Sequence, residues 1–215
     1  MRATKTETKV RQEQIAQAAF AVVERHGLRG LNVARVAALV GVVPSGLYRH
    51  CGGKDEVLET VLDAIADRLA ANVARARAAG GNALDRLHSL LTLHLTMVRS
   101  QSAIPRVVFS DELLHGRPTL RRRMHTMVSS FVSQVETLVR EGQLEGNLRV
   151  GPPPEAVAML FVGLIQPAVL LWTMSAGEMD LDAHAETIWP LFVQAIGTLP
   201  PPPNSSSPPP TPRCP

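Results

Sequence analysis

Residues 40–50 read VGVVPSGLYRH, and the glycine and proline in this stretch predict two short helices. Gly41 can end one short helix, and Pro44 can begin another, because the N–H that proline lacks has no partner at the first helical position. Two short helices joined by a glycine-containing turn form a helix-turn-helix. The second helix, residues 44–50, has the width of the DNA major groove, and Leu47 is predicted to face the core.

The rest of the sequence indicates further helices. Apolar residues recur at three- and four-residue spacing from Ile15 to Val23, a glycine at position 27 ends that segment, and Asn32 can cap a helix ending at Val40. Period-two alternation is scarce and aromatic residues make up only 4%, so strands are not expected. The fold class predicted is all-α, with longer helices at 54–79, 82–100, 104–115, 118–142, 154–175 and 182–198.

Composition excludes several classes of protein. The 215 residues are 45% hydrophobic and 19% charged, which is typical of a globular chain. Two cysteines, Cys51 and Cys214, are too few for a disulfide scaffold or a cysteine-based zinc site. The first dozen residues have no apolar core, so no signal peptide is expected and a cytoplasmic location is predicted. Residues 200–215 are mostly proline and serine and are predicted to be a disordered tail.

Charge is distributed unevenly along the chain. Residues 1–54 hold nine lysines and arginines against three acidic residues, a net charge of +6. The remaining residues hold thirteen basic and sixteen acidic side chains, a net charge of −3. A basic N-terminal segment favours a polyanionic partner such as DNA, although a solvated basic surface would give the same count.

Residues 9–58 resemble the DNA-binding head of the TetR family of bacterial transcriptional regulators. The resemblance implies an N-terminal three-helix helix-turn-helix head at 1–54 and a C-terminal helical body at 55–199 that binds an effector and dimerises, followed by the tail at 200–215. The matching residues are Ala19-Phe20, Gly27, Leu31-Asn32-Val33, Val36-Ala37, Val40-Gly41-Val42, Leu47-Tyr48-Arg49-His50, Lys54 and Leu58.

The resemblance assigns DNA contacts residue by residue. Base-edge contacts fall to Pro44, Ser45 and Gly46, and because these offer few hydrogen-bonding groups, specificity is expected to depend on thymine methyl contact and DNA shape. Phosphate contacts fall to Tyr48, His50 and Lys54, with two arginines assisting. The predicted DNA-binding set is Asn32, Arg35, Pro44, Ser45, Gly46, Tyr48, Arg49, His50 and Lys54.

Three positions depart from the family pattern. Val43 replaces a serine, so the recognition helix is expected to lack a side-chain N-cap, a loss of about 1 kcal/mol. Cys51 replaces an aromatic residue and is interpreted as a small core residue, with a redox role as the alternative. Gly52-Gly53 makes the connection to the next helix looser than usual.

The resemblance also implies an effector pocket within residues 82–175. Methionines adapt to the shape of a bound molecule, so a hydrophobic or aromatic effector is predicted. Each candidate could equally be an ordinary core residue. The candidates are His94, Met97, Val98, Phe109, Met124, Met127, Phe131, Phe161 and Trp172.

In the family, the last two helices dimerise. A homodimer would place its recognition helices about 34–36 Å apart, which implies a roughly palindromic operator on double-stranded DNA. Residues 156–176 carry no charge and are long enough to cross a bilayer, but Gln166 and Pro167 lie inside them and no membrane is expected. The predicted interface residues are Phe161, Leu164, Ile188, Trp189, Phe192 and Ile196.

No enzyme signature is found in the sequence. Gly41 and Gly46 have the outer spacing of a phosphate-binding loop, but Leu47 stands where lysine is required. His88 and His94 are six apart, the wrong spacing for a two-histidine metal site, so no metal or cofactor is expected. The function predicted is a ligand-responsive regulator, a repressor because most relatives repress. The alternatives are a helix-turn-helix protein without ligand gating and a membrane-anchored protein.

Overall fold

The computed structural model describes residues 5–48 and 51–198, and in these ranges the regular structure is helical apart from one isolated bridge between Leu148 and Gly197. The all-α prediction is confirmed. The helices are α1 (Lys5–His26), α2 (Val33–Val40), α3 (Pro44–Leu47), α4 (Lys54–Ala78), α5 (Ala83–Ser100), α6 (Ala103–Val108), α7 (Asp111–Leu114), α8 (Pro118–Leu144), α9 (Pro154–Met174) and α10 (Leu181–Ile196), with a 3-10 turn at Leu28–Gly30.

The single helix predicted at 104–115 is wrong, because the chain turns at Phe109 and Ser110 and forms α6 and α7. Ser110 has an extended backbone and its carbonyl accepts the first hydrogen bonds of α7. Val107 and Leu113 are both buried. In one straight helix, residues six apart would point about 120° away from each other around the axis. The break between α6 and α7 lets both side chains enter the core.

The local signals around the helix-turn-helix are confirmed. The Asn32 side chain caps α2 by accepting a hydrogen bond from the Arg35 N–H at 2.9 Å. Gly41 ends α2 with φ of 77°, a conformation that side-chain-bearing residues rarely adopt. As expected, Val43 supplies no side-chain cap to α3.

Helix α4 connects the helix-turn-helix to the remaining helices. It packs against α1 of the head and against α5 and α8 of the body. Arg68 of α4 reinforces the packing on α1, because its guanidinium lies 4.7 Å from the centre of the Phe20 ring and within 3.3 Å of the Glu13 carboxylate. The predicted boundary at residues 54 and 55 falls at the first turn of this helix.

Helix α9 is apolar on nearly all sides. Among the described residues it is the helix that is long and apolar enough to span a membrane by length and composition, and an 18-residue window of it has a mean hydropathy of 2.0. In the structure α9 packs against α5, α6, α8 and α10, and 39% of this window is buried. The buried residues are Val157, Ala158, Phe161, Val162, Ile165, Ala168 and Val169.

Candidate DNA-binding surface and effector cavity

Helix α3 is the candidate recognition helix, and it is buried on one face and exposed on the other. Leu47 is 1% exposed and joins the core formed by Phe20, Val36 and Ala37. Ser45 is exposed and Tyr48 is 55% exposed, so both are accessible to a partner. The exposed turn therefore presents the Ser45 hydroxyl and the Tyr48 phenol. The buried Leu47 side chain holds the backbone of this turn against the core.

Two of the residues predicted to contact DNA are engaged within the head. The Asn32 amide caps α2 and also donates to the Gly30 carbonyl at 3.4 Å. The Arg35 guanidinium donates to the same carbonyl at 2.7 Å. Both residues are exposed, but their first role in this structure is to fix the loop before α2.

Lys54 lies at the junction of the head with α7. Its Nζ is 3.2 Å from Glu112 Oε1, and the next residue, Asp55, is ion-paired with Arg117 at 2.7 Å. The Lys54 side chain is about one-third exposed, so it is accessible from solvent while paired. Two adjacent residues of α4 are thus ion-paired with α7 and with the residue that precedes α8.

The structure brings together only part of the predicted DNA-binding set. Pro44, Ser45, Gly46 and Tyr48 lie on one exposed turn, which Lys54 follows at the start of α4. Arg49 and His50 lie outside the described residues. The contacts of all these residues with DNA stay predictions.

Cys51 is a core residue. It is 1% exposed, and its Sγ lies 3.9 Å from Thr60 Oγ1. Burial raises the pKa of the Cys51 thiol, which keeps it protonated and unreactive at neutral pH. This supports the interpretation of Cys51 as a small core side chain.

A cavity of about 50 Å³ lies within the C-terminal body, between α4, α5, α6, α8 and α9. A single water needs about 10–15 Å³ measured in this way, so the cavity has room for a few waters, and a larger ligand requires side chains to move. The residues that line the cavity are Ile65, Leu69, His94, Met97, Val98, Ile104, Pro105, Val108, Phe109, Met127, Val128, Phe131, Val162, Gln166 and Val169.

His94 is the ionisable residue of this cavity. Burial lowers the pKa of its imidazole to about 4, so the ring is neutral at pH 7. Its Nδ1 is buried without a hydrogen-bond partner among the described residues. The ring centre lies 5.5 Å from that of Phe131, and the buried Asn72 side chain donates to the carbonyl of Leu93, the residue before His94.

Six of the nine predicted effector residues line the cavity: His94, Met97, Val98, Phe109, Met127 and Phe131. The other three do not. Phe161 packs edge-on against Phe192, and Trp172 lies beside the turn at Gly177. Met124 packs against the core one turn before Met127.

Sequence reasoning missed nine lining residues, most of them ordinary aliphatic side chains. Gln166 is the one for which a signal existed, because it is a polar residue inside a helix without charges after Glu155. A polar side chain there needs a hydrogen-bonding environment, which points towards a cavity.

The predicted dimer interface needs correction. Phe161, Phe192 and Ile196 are buried inside one protomer and cannot contribute accessible surface, whereas Leu164, Ile188 and Trp189 are half-buried. The exposed apolar face of α9 and α10 comprises different residues. They are Met159, Leu160, Leu170, Leu171, Met174 and Leu191, and the last two are 75% and 62% exposed.

The fold and the exposed recognition helix define a helix-turn-helix DNA-binding regulator. Residues 15–61 match the family described as bacterial regulatory proteins, tetR family, and residues 60–195 match the family described as YsiA-like protein, C-terminal region. The second match alone spans more than half of the chain, so the chain belongs to the TetR family. The family is described as one of bacterial regulatory proteins, and it includes DNA-binding transcriptional regulators.

Known relatives resemble the chain over most of its length. The nucleoid occlusion factor SlmA of Idiomarina loihiensis is 30% identical over 186 residues, which cover 86% of this chain and 95% of that protein. The fatty acid degradation regulator FadR of Bacillus halodurans superposes with a TM-score of 0.75 at 18% identity, over 89% of this chain and 96% of that one. FadR of Bacillus subtilis in complex with stearoyl-CoA gives 0.72 at 20% identity, over 84% and 97%. The two FadR structures share the fold of this chain.

Proposed function

We propose that the protein is a cytoplasmic, ligand-responsive transcriptional repressor that binds a palindromic operator as a homodimer and is released by a small hydrophobic effector. The observation that carries the ligand-responsive part of this proposal is the uncharged cavity in the C-terminal body, lined in part by α4 and α6, which also pack against α1 of the head. Its lining of apolar side chains with few polar groups is the kind of lining that small-molecule sites have. The FadR neighbour in complex with stearoyl-CoA supports an effector with an apolar part.

Dimerisation is supported by the exposed apolar face of α9 and α10. Large apolar residues on one continuous face mark an interaction surface. Gly163 lies on this face, and a Cβ built there would meet nothing within 4 Å, so another helix can approach closely. A second copy of the chain covers the face in this proposal, and α9 then needs no membrane.

Coupling between the cavity and the DNA-binding surface is proposed to run through α6 and α7. Ile104, Pro105 and Val108 of α6 line the cavity, and α6 also packs against α1 of the head. Glu112 of α7 pairs with Lys54 at the start of α4. An effector that fits the cavity better in one arrangement of these helices shifts the population towards it.

A mobility-shift titration tests this function. The probe is duplex DNA from the region upstream of the protein's own gene, and a compound library is then screened for release. Specific binding that is reversed by an apolar compound supports the proposal. A protein that binds this DNA and is released by no compound would be a helix-turn-helix protein without ligand gating.

A second candidate is a role in nucleoid occlusion. It is favoured by the SlmA relative, whose 30% identity extends over 86% of this chain. Chromatin immunoprecipitation separates the two candidates. Binding confined to one or a few promoters supports the repressor, and many sites spread over the chromosome support the nucleoid role.

A further inference from the structure

The cavity is uncharged and has two polar lining side chains among the residues described. Thirteen of the fifteen lining residues are aliphatic, aromatic, methionine or proline, and the two polar ones are His94 and Gln166. An ionised carboxylate or phosphate buried there would lose its hydration without a cation to replace it, which costs several kcal/mol or more. The part of a ligand that enters must therefore be uncharged.

His94 has a hydrogen-bonding capacity that the protein leaves unused. Its Nδ1 is buried and has no partner among the described residues, and a buried polar group without a partner is destabilising. A neutral imidazole has one donor and one acceptor nitrogen, and the amide of Gln166 offers both functions. A hydroxyl group can donate and accept at once, so it can complement both side chains.

We propose that the cavity takes a neutral ligand with an apolar body and one hydroxyl group, and that His94 hydrogen-bonds this hydroxyl. This inference rests on the effector site of the proposed function and adds the chemical class of its ligand. It excludes ligands that must place a carboxylate or a phosphate inside the cavity.

Three probes of similar size test the ligand class: phenol, toluene and benzoate at pH 7. Binding is measured on the full chain by NMR of ¹³C-methyl methionine, because Met97 and Met127 line the cavity whereas Met159 and Met174 lie on the exposed face of α9. We expect phenol and toluene to shift the two cavity methyls, with phenol binding tighter than toluene, and benzoate to bind at least tenfold more weakly than phenol.

Three variants test the role of His94. In His94→Leu the preference for phenol over toluene should fall by roughly tenfold, the value of a net hydrogen bond to a buried group, while toluene binding is kept. His94→Asn, which keeps a polar atom near the position of Nδ1, should restore much of the preference. His125→Leu is the matched control, because it makes the same substitution at an exposed position of α8 that does not line the cavity, and it should keep the preference.

The inference is overturned if the preference survives in His94→Leu, if benzoate binds as tightly as phenol, or if no probe shifts the cavity methyls. A DNA titration in the presence of phenol separates this inference from the proposed function. Binding of phenol through His94 without any change in DNA affinity would contradict ligand-controlled release from DNA. It would still support the inference about the chemical class of the ligand. Release by benzoate, together with a shift of the cavity methyls, would contradict the ligand class alone.

Discussion

Lys54 Nζ lies 3.2 Å from Glu112 Oε1, so the lysine that the family resemblance assigns to a DNA phosphate is ion-paired with the C-terminal body. A phosphate and the Glu112 carboxylate compete for the same ammonium group. An ion pair whose two side chains are about one-third exposed stabilises the fold by less than about 1 kcal/mol. The pair is therefore weak enough to be exchanged for a phosphate.

Glu112→Gln should tighten DNA binding by a few fold, because Lys54 loses its competing carboxylate and becomes free for a phosphate. Fluorescence anisotropy with a labelled duplex at fixed salt measures the effect. Glu145→Gln is the matched control, since it removes the same charge from another ion pair, with Arg86 at 2.9 Å. Equal effects of the two variants would show that only net charge matters.

The double variant Tyr48→Phe with Lys54→Ala should weaken binding to all DNA sequences alike. Each lost phosphate contact made by a cation lowers the slope of log K against log salt by about 1, so removal of Lys54 should reduce the slope by that amount. Arg140→Ala, which removes a cation from α8, serves as the control. An unchanged slope in the double variant would count against phosphate contact by Lys54.

The head was largely predictable from its sequence, because its signals are local. Asn32, Gly41 and Pro44 each act within a few residues of their own position, and each ends or begins a helix as expected. The pairing of Lys54 with Glu112 joins residues 58 positions apart, and no local pattern indicates such a contact. The turn between α6 and α7 likewise depends on burying Val107 and Leu113 in one core.

The cavity and the dimer face were predicted less completely, for a reason that α9 illustrates. A helix that is apolar all round gives no periodic signal for which side faces the core. The sequence therefore predicts Phe161 as a lining and interface residue, whereas it packs on Phe192 inside the protomer. The exposed side, with Met159 and Leu171, was visible only in the structure.

His94→Leu should make stability less sensitive to acid. The unfolded chain binds a proton on this histidine below about pH 6.5, whereas the folded protein does so only below about 4. The unfolded state therefore binds more protons between these values, and the wild-type free energy of unfolding falls as the pH is lowered, by up to about 3 kcal/mol from this group. Urea unfolding at pH 7, 6, 5 and 4 measures it, with Met97→Leu as control. Parallel curves for wild type and His94→Leu would contradict the prediction.

Gly163→Leu should weaken the proposed dimer without harming the protomer. The added side chain points into open space in the protomer, and leucine favours a helix over glycine by up to about 1 kcal/mol. Sedimentation velocity over a range of concentrations should show a shift from dimer to monomer. Ala74→Leu, on the exposed side of α4, is the control and should leave association as in the wild type. A Gly163→Leu protein that stays dimeric to the same dilution would place the interface elsewhere.

The central claim is that two copies of this chain hold their recognition helices on one DNA duplex. Sedimentation of the purified protein with a fluorescent duplex from its own upstream region, at low salt, measures the mass of the complex directly. We predict a specific complex of two protomers, or a multiple of two, on each duplex. A protein that stays monomeric and leaves every duplex unbound at low salt would contradict the account.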